Sequence, residues 1–128
     1  MSSPPALDPT VIASLRQLTP PGEPDVLQEV LQLFLDDVPA RIARLRGAWE
    51  TGNAPEVQRA AHSLKGSAGN IGANALLAVC RELDEQSRAG DLSNAAALVA
   101  SLEAEFGRVE AEIRELIKKQ QEARSSGE

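Results

Sequence analysis

Apolar residues recur at intervals of three and four along two long stretches, Leu27, Leu31, Phe34, Val38, Ile42, Leu45 and Trp49, and then Ala95, Val99, Leu102, Phe106, Val109, Ile113 and Leu116. This is the period of a helix that turns one side to a core, not the alternation of a half-buried strand. Alanine and leucine dominate, β-branched runs are lacking, and the aromatics are one Trp, two Phe and no Tyr. Closely packed helices are therefore expected in place of a sheet. With 128 residues and 42% hydrophobic content, the chain fits one domain with a real core.

Breakers and caps divide the pattern. Residues 1–7 are Ser/Pro-rich and expected to be disordered. Asp8 caps a short helix with Pro9 in its first position, running through Val11, Ile12, Leu15 and Leu18 to the Thr19-Pro20-Pro21-Gly22 breaker. The stripe from Leu27 to Trp49 crosses Pro39, which predicts one long bent helix. Gly52 stops it, and Asn53 with Glu56 suggests a capping box for a helix over 54–71. Gly72 has the place of a left-handed C-terminal residue, after which Leu76, Val79, Cys80 and Leu83 define a helix ending at Gly90. The last seam also suits a coiled coil, but the short loops and the other amphipathic segments favour packing within one bundle. Beyond Lys119 the chain turns polar, and residues 119–128 are expected to fray. The expected fold is all-α, an antiparallel four-helix bundle over residues 8–118 with a short additional N-terminal helix.

The only histidine, His62, lies in the third of these helices. At about 100° per residue, Val57, Ala61, Leu64, Ala68 and Ile71 gather on one side, and His62 falls on the other with Gln58, Lys65, Gly66 and Gly69. Each glycine costs an exposed helix about 0.8–1 kcal/mol relative to alanine. Close approach of a bulky partner to the imidazole explains that cost, and Lys65 supplies a mobile cation for an anion on the ring.

The run His62-Ser63-Leu64-Lys65-Gly66-Ser67-Ala68-Gly69-Asn70-Ile71-Gly72 resembles the signature of the histidine-containing phosphotransfer (HPt) domain of bacterial and fungal multistep phosphorelays. Ala60-Ala61, Cys80-Arg81-Glu82-Leu83 and Ala89-Gly90-Asp91-Leu92 extend the resemblance over roughly residues 8–118. It implies a carrier that takes a phosphoryl group on His62 from a receiver-domain aspartyl phosphate and passes it to another receiver aspartate. Lys65 would neutralise phosphate charge. Gln58, Gly66, Gly69 and Asn70, with apolar Ile12 and Leu15 of the first helix, would face the partner. Where some members place a glutamine against the imidazole, this sequence has Asp84, either orienting the ring or simply facing solvent.

Receiver domains and a hybrid sensor histidine kinase are the implied partners, with Mg²⁺ on the receiver and no cofactor on this chain. A non-catalytic helical adaptor and a module of a larger hybrid or chemotaxis-type kinase are the competing readings. Neither G-x-x-x-x-G-K-[ST] nor G-x-G-x-x-G occurs, so no kinase or ATP-binding activity is expected. One His and one Cys suggest neither a metal site nor a catalytic triad. A net charge of −6 argues against nucleic acid or an anionic membrane as partner. Without a spanning segment or leader, the protein is expected to be cytoplasmic, and it is expected to be a monomer. Cys80, lying in an apolar stripe, is expected to be a buried thiol of no chemical interest.

Overall fold

A computed structural model describes residues 4–23 and 25–126 as five helices, α1 Pro9–Arg16, α2 Val26–Glu50, α3 Ala54–Asn70, α4 Asn74–Arg88 and α5 Ala95–Ser126. Helices α2 to α5 form the antiparallel four-helix bundle, α3 packing on α2 and α4, and α5 closing the ring against both. Leu27, Leu31, Leu45, Val57, Leu64, Leu76, Leu83, Leu102 and Ile113 fill its centre. Each such side chain contributes about 1.5–3 kcal/mol by leaving water. Phe34 and Phe106 stack across the α2–α5 seam with ring centroids 6.1 Å apart.

Local chemistry sets the helix ends. The Asp8 carboxylate accepts from Thr10 N–H at 2.9 Å, and Asp25 caps α2 by accepting from Leu27 N–H at 2.9 Å. Helix α2 runs unbroken through Pro39, as one long helix. Only half of the capping box at α3 forms. Asn53 accepts from Glu56 N–H at 3.3 Å, but Asn53 N–H goes to the Ala48 carbonyl and the Glu56 carboxylate pairs with Arg59. Gly72 sits at φ +70°, and a Cβ there would come within 2.8 Å of Val11 Cβ. Only glycine satisfies both the turn and the approach of α1, whose Asp8 N–H donates to the Gly72 carbonyl at 2.8 Å.

Both termini depart from expectation. Ala6 and Leu7 are buried, Leu7 only 1% exposed, and their N–H groups donate to the Glu112 carboxylate at 2.8 and 3.1 Å. Arg108 donates to the Pro4 carbonyl at 2.6 Å. Pro4 and Pro5 suit no regular element, but an Ala-Leu pair beside a well-placed carboxylate still anchors the segment; residues 1–3 lie outside the described residues. At the other end α5 continues through Ser126 where fraying was expected, since Lys118, Lys119, Gln120, Gln121, Glu122 and Ala123 are good helix formers. Residues 127–128 lie outside the described residues. Cys80 is fully buried, and burial pushes its thiol up to about 12, which leaves it unreactive.

Candidate functional site

Helix α3 turns Val57, Ala61, Leu64 and Ala68 inward and leaves the His62 side chain 62% exposed. Gly66 and Gly69 are open to solvent, with nothing within 4 Å of a Cβ built on either and no positive φ. Neither internal packing nor backbone conformation requires them. Gly47 and Gly107 are equally open elsewhere on the bundle, so openness alone does not mark the site.

What distinguishes the neighbourhood of His62 is Asp84 of α4, whose side chain is 2% exposed. Its carboxylate accepts from Lys65 Nζ at 2.8 Å, Gln58 Nε2 at 2.8 Å and Arg88 at 3.0 Å. His62 Nδ1 lies 3.4 Å from Oδ2, the oxygen that Lys65 also meets, a long and therefore weak hydrogen bond. Burial alone would push the Asp84 carboxyl up, but the hydrogen bonds from Lys65, Gln58 and His62 outweigh it and hold the group well below the usual carboxylate range. The site thus contains a buried anion held by two cations, one amide and the imidazole.

This placement follows from helical geometry. Gln58 and Lys65 lie about 40° and 60° to one side of His62, the side facing α4, and Arg88 is one turn beyond Asp84. An ionised carboxylate only accepts, so a neutral ring that bonds it does so through Nδ1–H, which leaves the Nε2 lone pair on the other side of the ring. The arrangement presents a nucleophilic nitrogen to water, with Lys65 held on the same carboxylate that the ring faces.

On the α2 side, Arg41 donates to Ser63 Oγ at 2.7 Å and Ser67 Oγ at 3.3 Å while pairing with Asp37 at 2.6 Å. Between α2 and the exposed end of α3 runs a cleft of about 210 Å³ lined by Val30, Leu33, Phe34, Arg41, Ser67 and Asn70.

Of the residues singled out from sequence, His62, Lys65, Gln58 and Asp84 meet in one cluster, and Gly66, Gly69 and Asn70 are exposed along the same helix. Gln58 is not a free surface group, because Asp84 holds it. Asp84 faces the ring and not solvent. Ile12 is corrected: it is 7% exposed and packed in the core, and Leu15 is half-buried against it. Short as it is, α1 spends its apolar stripe on packing. Among the described residues the exposed large apolar side chains are Leu18 and Leu33, the latter 66% exposed on the rim of the cleft. Arg88 and Leu33 escape the sequence reading. Arg88 had a signal in its i, i+4 spacing from Asp84, whereas Leu33 is visible only as an apolar residue off the stripe of α2.

Comparisons with known proteins agree with this architecture. A family model described as "Hpt domain" matches residues 29–118. The chain is 25% identical over 105 residues to histidine-containing phosphotransfer protein 2 of Arabidopsis thaliana, covering 80% of this chain and 67% of that protein. The crystal structure of histidine-containing phosphotransfer protein B (HptB) of Pseudomonas aeruginosa PAO1 superposes with a TM-score of 0.84 at 34% identity, covering 91% of this chain and 98% of that one. MtHPt2 of Medicago truncatula superposes with a TM-score of 0.85 at 26% identity, covering 97% and 85% respectively.

Proposed function

Because this chain belongs to the histidine-containing phosphotransfer (Hpt) family, we propose that it is a phosphorelay carrier with His62 as phosphoryl acceptor. The observation that carries the assignment of the residue is the exposed imidazole whose Nδ1 faces a buried anion, leaving Nε2 toward solvent. Nε2 attacks the phosphorus of a partner's aspartyl phosphate; the N–P bond forms, the acyl O–P bond breaks, and the aspartate leaves as a carboxylate. The reverse step passes the group to a second receiver. Positioning and charge neutralisation supply most of the catalysis in such transfers.

Lys65 is held by Asp84 Oδ2, the oxygen that also faces the ring, and moves from it toward phosphoryl oxygens as charge arrives. Gly66 and Gly69 leave room for the receiver's loops over the imidazole, and Asn70 and Leu33 extend the docking face along the α2–α3 cleft. Mg²⁺ belongs to the receiver in this scheme. A hybrid sensor kinase charges the first receiver, and this chain acts as a cytoplasmic monomer. Among the described residues no helix is long and apolar enough to cross a membrane.

The test is transfer of radiolabelled phosphate from a panel of phosphorylated receiver domains, including the host's own, beside His62→Gln. Acid-labile label that appears quickly and vanishes in the variant supports the carrier. A folded protein that takes no label from any receiver overturns it in favour of an adaptor.

A further inference from the structure

Counting from His62 round α3, Gly66 and Arg59 lie about 40° and 60° to the side away from Asp84, and Ser63 about 100°. Arg59 is therefore one of the nearest surface neighbours of the imidazole, its side chain 71% exposed. Ser63 meets Arg41 of α2 at 2.7 Å, and beyond them a concavity of about 280 Å³ is lined by Arg41, Arg44, Glu56, Arg59, Ala60 and Ser63. Three arginines here face two acids, since Asp37 pairs with Arg41 and Glu56 with Arg59. Arg44 has no hydrogen bond or ion pair within the chain among the described residues.

A local excess of cations is notable in a chain whose net charge is −6. Any acidic partner is repelled by the molecule as a whole, and an opposing patch beside the reacting nitrogen reverses that field where contact occurs. A partner that carries a phosphorylated aspartate and holds Mg²⁺ needs carboxylates around that centre, because Mg²⁺ is bound through carboxylate oxygens and phosphate. Guanidinium groups fit such carboxylates two hydrogen bonds at a time.

We propose that Arg44 and Arg59, with Arg41 fixed behind them, form a docking surface for the carboxylate-rich rim of the receiver domain that exchanges phosphoryl groups with His62. The proposal rests on the carrier reading. Its role is in encounter and orientation, not in the chemical step, since neither guanidinium contacts the ring.

The experiment is the second-order rate constant for transfer from a phosphorylated receiver, measured at low and high salt for the unmodified protein, Arg44→Glu/Arg59→Glu, and Arg114→Glu on α5 as a remote charge reversal. The double variant is expected to lose about tenfold or more at low salt and most of its salt dependence. Its single-turnover rate at saturating receiver stays unchanged, as does everything measured for Arg114→Glu. Should the double reversal disturb the helical circular dichroism, Arg44→Gln/Arg59→Gln carries the same test with a smaller expected loss. Equal rate constants and equal salt slopes overturn the proposal while leaving the carrier intact. Binding to anionic vesicles that the double variant abolishes, with transfer unaffected, reassigns the patch and also overturns it. No transfer by the unmodified protein overturns the carrier reading and this surface together.

Discussion

Lys65 Nζ lies 2.8 Å from Asp84 Oδ2, so the cation best placed to meet a phosphoryl group is held, in the unphosphorylated chain, by a carboxylate of its own. The same oxygen is the one facing His62 Nδ1. Asp84 thus links the electrostatic state of Lys65 to the hydrogen bonding of the ring. In its neutral form His62 is expected to carry its proton on Nδ1, and two-bond ¹H–¹⁵N spectra report that directly. Asp84→Ala is expected to give a mixture of tautomers. A ring protonated mainly on Nε2 in the unmodified protein would contradict the orientation argued for the nucleophile.

The stability contributed by Asp84 has a defined pH window. Its carboxyl is held below the usual range, so the unfolded chain takes up the proton first as pH falls. The contribution is fully present above the unfolded value, about 3.9, and is lost below it as pH descends toward the lower native value. Asp84→Asn is expected to cost about 2 kcal/mol at pH 7, the scale of a charged hydrogen-bond network whose cations can rehydrate. Urea titrations should show a constant difference between pH 5 and 8 that shrinks below about pH 4. A difference that widens in acid would contradict this sign.

Glycines on this chain separate into those the fold needs and those it does not. Gly66→Ala meets open space at negative φ and should stabilise the bundle by about 0.8–1 kcal/mol, yet slow transfer by obstructing the receiver. Gly47→Ala and Gly107→Ala should stabilise similarly and leave transfer unchanged. Gly72→Ala does the opposite. Its Cβ would press on Val11 and Asp8 at positive φ, with a loss of about 1–2 kcal/mol from the backbone alone. Thermal melts with single-turnover transfer rates separate these cases, and a Gly66→Ala protein that transfers normally would remove the steric role.

How much of this was legible in the sequence depended on whether one helix sufficed to decide it. The exposure of His62 and the inward stripe of α3 followed from periodicity because both belong to a single helix. Gly72 was recognisable as a left-handed turn residue, but the close approach of Asp8 and Val11 to it joins segments far apart in the chain. Asp84 illustrates the limit most clearly. Its spacing in α4 was compatible with a solvent-facing carboxylate, and only the packing of α4 on α3 put it among Lys65, Gln58 and His62. Ile12 was misplaced for the related reason that a short helix looked dispensable to a core it helps to build.

The N-terminal segment provides the last test, since composition and structure disagree there. Glu112 accepts the amides of both Ala6 and Leu7, and Leu7 enters the core beneath α1. Two forces therefore anchor the segment, a carboxylate on α5 and the burial of one leucine. Hydrogen bonds to a charged group contribute about 1.5–3 kcal/mol, and burying a leucine about the same. Glu112→Ala should cost about 2 kcal/mol and expose the Ala6 and Leu7 amides to rapid hydrogen exchange, with the amides of α3 still protected. Leu7→Ala should cost about 2–4 kcal/mol and loosen α1 as well, because a cavity would open under it. Amides that stay protected in Glu112→Ala would show that burial of Leu7 holds the segment without the carboxylate. Loss of protection throughout α3 would instead mean that the segment is integral to the fold of the whole bundle.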